Sequence, residues 1–130
     1  MIGFVAMTDV RLSSCLLMDD NKILLVKSKD SDCWSLPGGP IDEKAGDAQS
    51  ALNHAENIAG LKARVIQLFG VYGYQKECEN SEEHVFESDL HEGTDTTLTA
   101  KEGFEAKWFS ISTVKKESLC QELLSVLDDM

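Results

Sequence analysis

The sequence lacks any long apolar segment. No apolar run in its 130 residues approaches the roughly 20 residues that a helix needs to cross a bilayer, so we expect no association with a membrane. Residues 1–10 also carry no Lys or Arg ahead of their apolar residues, as a secretory signal peptide would. This segment is therefore expected to be a short lead-in or a first strand.

Basic residues are also scarce. The chain has 12 Lys and Arg against 23 Asp and Glu, giving a formal net charge of −11, and its basic residues form no stripe. Because nucleic-acid binding depends on Lys and Arg meeting phosphates, we expect no nucleic-acid partner. A small nucleotide is still permitted through a metal ion or a few local Lys side chains. Solubility is a sufficient explanation of the charge.

The four cysteines show no metal-binding pattern. Cys15, Cys33, Cys78 and Cys120 contain no C-x-x-C pair, so a zinc site is not expected. An even number permits disulfides, but without a secretion signal reduced thiols in a cytoplasmic protein are the better expectation. Cys15 and Cys120 lie in apolar patterns and are expected to be buried packing residues.

Apolar runs and turn signals predict several strands, a helix, more strands and a closing helix. The predicted strands lie at 12–19, 23–26, 34–36, 63–74, 84–90 and 105–109. The Asp-Asp-Asn-Lys turn at 19–22 predicts that the first two form a hairpin. Polar segments at 76–83 and 91–103 predict loops, and helical spacing predicts the closing helix at 114–127. Trp108 and Phe109 are expected to pack the last strand onto that helix. No repeat or linker interrupts residues 1–130, which predicts one domain. This order predicts an α/β fold, with a mixed sheet between helices.

The clearest predicted element is a helix between Gly46 and Gly60. Its apolar residues recur at three- and four-residue steps, which indicates one buried face. They are Ala48, Ala51, Leu52, Ala55, Ile58 and Ala59. Asp47 is suited to cap the first turn and Gly60 to end the helix. Because most of the stripe is alanine, we expect this helix to lie close to its neighbour.

A tight Pro-Gly-Gly bend precedes this helix, in the stretch Trp34–Gly39. With Gly60 and Leu61 at the far end, the arrangement resembles the Nudix box, which in that family reads G-x5-E-x7-R-E-U-x-E-E-x-G-U, where U is aliphatic. The segments Ile23–Lys27 and Glu105–Ser110 are also similar to segments of that family. The resemblance covers most of the chain and implies a Nudix-like α/β/α sandwich.

The resemblance also implies a ligand class. Nudix proteins typically hydrolyse a nucleoside diphosphate linked to another group, so a small nucleotide-like ligand is expected. Divalent metal neutralises the pyrophosphate and activates a water in such a reaction, and Mg²⁺ prefers oxygen ligands. The implied cofactor is therefore Mg²⁺ or Mn²⁺ if the chain is active.

Aligned from Gly39, the box keeps its ends and loses the acids between them. Gly39 matches the first glycine, whose carbonyl can join the metal shell in the family. The charged positions of the box fall on uncharged side chains and one histidine, namely Ala45, Asn53, His54, Asn57 and Ile58. Asp47 lies two residues beyond the first glutamate position and is placed to substitute for it if the loop is longer.

Few candidate site residues follow from this alignment. The expected substrate contacts are Gly38, Gly39, His54, Asn57 and Lys27. The alignment assigns no complete metal site, and Gly39, His54 and Glu87 are candidate metal contacts. Glu102 lies in the loop region where some family members keep a catalytic base, so Glu102 and Asp47 are the candidate catalytic residues.

Two functions are open, with an unrelated α/β domain as a weaker third. One is an active hydrolase rebuilt around Asp47, Glu87 and Glu102. The other is a binding or regulatory module that holds a nucleotide-like ligand or a protein partner without cleaving it, with a base stacked on Tyr72 or Tyr74. Losing one preorganised charge-stabilising group costs on the order of 10² to 10³ in rate. Since at least three charged positions are changed, weak or absent hydrolysis is favoured. A homodimer is left open.

Overall fold

Six strands and two α-helices make up the part of the chain that the computed structural model describes, residues 10–76 and 79–130. They are β1 Val10–Asp19, β2 Lys22–Ser28, β3 Gly38–Pro40, α1 Asp47–Ala59, β4 Arg64–Lys76, β5 Glu79–Asp89, β6 Phe104–Ser110 and α2 Gln121–Asp128, with a 3-10 turn at Val114–Lys116 before α2. Of the predicted lead-in, residues 1–9 lie outside the described residues. Within the described ranges, no helix has the length and apolarity to cross a membrane.

The strands form one mixed sheet. Its order is β4-β5-β1-β2-β6, and β3 pairs with β1 beside that path. β1 and β5 run parallel, whereas the other pairs are antiparallel. The β1–β2 hairpin turns at Asp20 and Asn21, whose φ angles of 48° and 63° are typical of a two-residue hairpin turn. The hairpin predicted from the sequence is confirmed.

Each face of the sheet carries a hydrophobic core under one helix. On the side that we call the α1 face, α1 packs against Cys15, Leu17 and Phe86. On the opposite α2 face, α2 packs against residues that alternate with these along the strands, including Leu16 and Val85. The sheet therefore lies between two helices, which confirms the predicted α/β/α sandwich.

Helix α1 lies close to the sheet because its buried stripe is made of small residues. Ala51, Ala55 and Ala59 are fully buried. Gly60 ends the helix in the left-handed conformation, with a φ of 78°, as glycine is expected to do. At the other end the N-cap residue is Gly46 rather than the predicted Asp47. Asp47 instead accepts the amide of Ala48 from within the first turn, at 2.8 Å.

The strand predicted at 34–36 is replaced by isolated bridges at Trp34 and Ser35, with β3 at Gly38–Pro40, and two further boundaries differ from the prediction. The predicted loop at 76–83 belongs largely to the β4–β5 hairpin, in which Lys76 pairs with Glu79. The predicted helix at 114–127 is divided, because Trp34 forms backbone hydrogen bonds with Ser118 and Cys120 just before α2 begins. In both places long-range pairing outweighs the local pattern.

The two adjacent aromatic residues of β6 pack on opposite faces. Phe109 packs under α2, and its ring meets that of Trp34 edge to face with centroids 4.9 Å apart. Trp108 packs against the α1 core instead, and its indole N–H donates to the carbonyl of Thr96 at 3.0 Å. The prediction that both would pack on the closing helix is therefore wrong for Trp108.

A disulfide joins Cys33 and Cys120, which are 87 residues apart in the sequence and have Cα atoms 4.9 Å apart. The expectation of reduced thiols is wrong for this pair, and Cys120 is a half-buried bonded residue rather than a packing residue. Cys15 is free and fully buried, as predicted. Burial raises the pKa of its thiol to about 11. Cys78 lies outside the described residues.

Candidate functional site

The α1 positions that match the acids of the box are occupied by side chains with other roles. The ring of His54 lies over Gly39, and its Nε2 donates to the carbonyl of Pro40 at 2.8 Å. Ile58 is only 6% exposed and belongs to the α1 core. Asn57 is exposed. The box positions of α1 therefore hold a hydrogen-bonded imidazole, an exposed amide and a buried aliphatic group, and of these the imidazole lies against Gly39.

These donors do not fit Mg²⁺ or Mn²⁺. Mg²⁺ is usually bound through carboxylates and water, in octahedral geometry. The imidazole of His54 is a softer ligand and is already paired with Pro40. Across residues 10–76 and 79–130, no group of three or more His, Cys, Asp or Glu side chains is placed to hold a metal ion.

The first acid of α1 belongs to a carboxylate–imidazole–carboxylate arrangement, here called the His84 cluster and made of Asp47, Glu82 and His84. His84 Nδ1 lies 3.0 Å from Asp47 Oδ2, and its Nε2 lies 2.7 Å from Glu82 Oε1. The cluster ties the start of α1 to β5. The imidazole is 13% exposed.

The two carboxylates favour the charged form of the imidazole. Burial alone would lower the pKa of His84, but the hydrogen bonds with Glu82 and Asp47 outweigh it, and the pKa is raised. The hydrogen bond with His84 also lowers the pKa of Asp47. Sequence reasoning missed this cluster, although residues 82 and 84 alternate along a strand and so share a face.

The sheet separates the site residues that the sequence predicts. Gly39, His54 and Asp47 lie on the α1 face. Gly38 lies against Ser14 on the α2 face. Lys27 is on the α2 face too, where its Nζ lies 5.8 Å from the centroid of Trp34 and 3.1 Å from Glu105 Oε2.

The three acids of the rebuilt catalytic site do not come together. Glu87 lies two residues after Val85 on β5 and so shares the α2 face with it, and it accepts a hydrogen bond from Gln67 at 3.1 Å. Glu102 follows Lys101, whose amide donates to the carbonyl of Ile58 in the last turn of α1. Asp47 opens that helix 11 positions earlier, about 16 Å away along the axis.

A cavity of about 500 Å³ opens on the α2 face. Its walls come from β4, α2 and the disulfide, and the lining residues are Cys33, Tyr72, Gly73, Tyr74, Gln75, Cys120, Gln121, Glu122 and Ser125. The hydroxyl of Tyr72 donates to Asp129 Oδ2 at 2.7 Å. Both tyrosines named as stacking candidates therefore lie in one concave site.

Acidic groups surround these tyrosines. Glu83 of β5 accepts a hydrogen bond from the hydroxyl of Ser14. Burial and the charge of Glu122 raise the pKa of Glu83, against the opposing effect of that hydrogen bond. Burial, with a contribution from the charge of Glu83, raises the pKa of Tyr72 and of Tyr74 to about 12. The cavity is therefore electronegative, and both phenols keep their protons at neutral pH.

Comparison with known proteins agrees with this architecture. The NUDIX domain family model matches residues 9–130. A relative from Bacillus subtilis (strain 168), named "Putative 8-oxo-dGTP diphosphatase", is 33% identical over 98 residues, which are 73% of this chain and 62% of that protein. The chain thus spans less than two thirds of that relative's length.

Solved structures share the fold at low sequence identity. A NUDIX hydrolase from Nitrosomonas europaea matches with a TM-score of 0.79 and 17% identity, over 92% of this chain and 86% of that one. The NUDIX domain of Shewanella oneidensis NrtR, solved in complex with ADP ribose, matches with a TM-score of 0.75 and 19% identity, over 97% and 87% of the two chains. Since the family model covers almost the whole sequence, this chain belongs to the Nudix family.

Proposed function

We propose that this Nudix domain binds a small nucleotide-derived ligand and has weak or no family-type hydrolysis. The observation that carries the proposal is the set of side chains at the box positions of α1. His54 is bonded to Pro40, Asn57 is a neutral amide and Ile58 is buried in the core. Removing a single preorganised charge-stabilising group already costs on the order of 10² to 10³ in rate.

The ligand class rests on the family and on one structural neighbour. The NrtR NUDIX domain was solved with ADP ribose, a nucleotide derivative. The family match extends that class of ligand to this chain as part of the proposal. The cytoplasmic location, the single-domain extent over residues 1–130 and the homodimer that the sequence leaves open stay predictions, and the proposed function does not depend on them.

We place the base of the ligand in the cavity on the α2 face. Its volume of about 500 Å³ is within the range of small-molecule sites. Tyr72 and Tyr74 supply aromatic surface and protonated hydroxyls. Because Glu83 and Glu122 make the cavity electronegative, it favours the donor-bearing edge of a base and repels phosphates.

The phosphates are therefore placed outside the cavity. Lys27 is the proposed phosphate contact, since it lies on the same face beside Trp34, the neighbour of the cavity residue Cys33. On binding, the ammonium group of Lys27 would leave its ion pair with Glu105 and contact the phosphate instead. Contacts from Gly38, Gly39, His54 and Asn57 stay predictions from the family resemblance.

The experiment measures binding and turnover in the same samples. Melting temperature and phosphate release are followed with ADP ribose and with 8-oxo-dGTP, each with and without Mg²⁺ or Mn²⁺. We expect at least one nucleotide to raise the melting temperature by several degrees, since a ligand at 100 times its Kd adds about 2.7 kcal/mol to the free energy of unfolding. Phosphate release is expected to stay at background.

Matched variants test whether the ligand binds in the cavity, and two outcomes would contradict the proposed function. Tyr74→Ala should abolish the thermal shift, whereas Asn53→Ala, an exposed position on α1, should preserve it. Fast metal-dependent turnover that disappears in Glu102→Gln would establish the active-hydrolase alternative with substitute acids. Absence of a shift with every nucleotide would refute the binding role.

A further inference from the structure

The disulfide between Cys33 and Cys120 forms part of the cavity wall. It connects the segment before the Pro-Gly-Gly bend to the N-cap residue of α2. Both cysteines are half-buried and line a cavity that opens to solvent. The cavity therefore offers small thiols a route to the disulfide without unfolding of either core.

The backbone holds these two segments together independently of the sulfur–sulfur bond. The amide of Trp34 donates to the carbonyl of Ser118 at 2.8 Å, and the amide of Cys120 donates to the carbonyl of Trp34 at 2.8 Å. The hydroxyl of Ser118 also donates to the carbonyl of Asp32, at 2.9 Å. These bonds keep the two Cα atoms within the range in which a disulfide closes without backbone movement.

We propose that Cys33 and Cys120 form a reversible thiol–disulfide site, which small thiols open and small disulfides close while the domain stays folded. In the opening direction a thiolate attacks one sulfur, forming a mixed disulfide and releasing the other cysteine as a thiolate that takes a proton from water. A second thiolate then attacks the mixed disulfide, giving an external disulfide and the second cysteine thiol. Two thiols are thereby oxidised for each protein disulfide reduced.

The free cysteine on the other side of the sheet has the opposite properties. Cys15 is fully buried in the α1 core, and burial raises the pKa of its thiol to about 11. A thiol that is both inaccessible and protonated reacts slowly with any disulfide or alkylating reagent. Cys15 therefore serves as an internal control for the folded state in any labelling experiment.

The test is a redox titration of the folded protein. All samples carry Cys78→Ser, since Cys78 lies outside the described residues, and are equilibrated with mixtures of reduced and oxidised glutathione or with dithiothreitol. Thiols are then labelled with a maleimide and counted by mass. We expect two thiols to appear together without loss of the circular dichroism signal. Reoxidation should remove both. Cys15 should be labelled only after denaturation.

Two measurements distinguish disulfide exchange in the folded protein from opening of the bond on unfolding. The opening rate in dithiothreitol should not depend on urea below the unfolding transition, because local exchange exposes little new surface. A rate that rises steeply with urea would mean that the bond opens only on unfolding, and would overturn the proposal. So would failure of the reduced protein to close under oxidised glutathione, or loss of the fold on reduction. Cys33→Ser should abolish the joint appearance and loss of two thiols, since Cys120 alone forms only a mixed disulfide with glutathione, and Cys15→Ser should leave the paired change intact. The redox titration uses no nucleotide, so its failure would not bear on the proposed nucleotide binding, and a failed nucleotide screen would not bear on the disulfide.

Discussion

The pairing of Asp47 with His84 is expected to stabilise the fold most at mildly acidic pH. The pKa of His84 is raised from 6.5, so its contribution is complete below that value and is lost as the pH rises through the higher folded pKa. The pKa of Asp47 is lowered from 3.8, so its contribution is present above that value and is lost as the pH falls through the lower folded pKa. Both charges are therefore in place between these two reference values.

The size of the coupling between Asp47 and His84 depends on the solvent exposure of the two side chains. The side chain of His84 is 13% exposed, whereas that of Asp47 is 45% exposed and its charge is partly screened by solvent. Arg11 of β1, whose Nε lies 4.0 Å from Glu82, competes for the second carboxylate of the cluster. We therefore expect a coupling free energy of about 1 to 1.5 kcal/mol near pH 6, falling to about 0.5 kcal/mol once the pH exceeds the folded pKa of His84 and the hydrogen bond is to a neutral ring.

The assay is a double-mutant cycle by urea unfolding across this pH range. Wild type, Asp47→Asn, His84→Gln and the double variant give the coupling at each pH. The matched control is the exposed pair Arg64 and Asp89, joined at 2.6 Å. Its coupling should stay constant, because the hydrogen bond between the two side chains raises the pKa of Arg64 and lowers that of Asp89, so both shifts lead away from this pH range. An Asp47–His84 coupling that is flat or grows toward pH 9 would refute the reasoning.

Three further outcomes test the role of α1 and of the disulfide. The variant His54→Glu with Asn57→Glu places two carboxylates three residues apart on one helix face beside Gly39, and it should gain Mg²⁺ affinity by calorimetry; no gain would contradict the register of the box. Ile58→Glu should lower the free energy of unfolding by about 3 kcal/mol or more, because it buries a charge, whereas Asn57→Glu alone should change it by less than about 0.5 kcal/mol in urea unfolding. Reducing the disulfide should lower the same quantity by about 4 to 5 kcal/mol, given the 87-residue separation, and an unchanged melting temperature in dithiothreitol would contradict its formation.

Local sequence patterns account for the parts of the fold that could be predicted. The alanine stripe and the closing glycine predict α1 almost to the residue, since both depend on contacts within one helix and its immediate neighbour. The Asp-Asp-Asn-Lys turn predicts the β1–β2 hairpin for the same reason. Helix α2 was less predictable, because its start is set by backbone bonds to Trp34, more than 80 positions away.

The candidate site could be predicted only in part, because an alignment orders residues along the chain and does not assign them to a face. Gly38 and Gly39 are neighbours in the box, yet one lies against Ser14 on the α2 face and the other lies under His54 on the α1 face. Glu87 was grouped with Asp47 although strand alternation puts it on the opposite face. The disulfide had no sequence signal, since spacing alone does not reveal connectivity.

The α1 positions at which the acids of the box are replaced differ in burial, and burial decides which of them could again carry a metal-binding carboxylate. His54 and Asn57 occupy positions from which a carboxylate could reach the surroundings of Gly39 without entering the core. Ile58 belongs to the stripe that seals α1 against the sheet, together with Ala51 and Ala55. A carboxylate at that position would have to leave the core or remain there unpaired, and either alternative lowers stability. The core packing of α1 therefore requires an apolar side chain at position 58, whereas positions 54 and 57 can accept a carboxylate. A metal site on α1 can be restored only through those two positions.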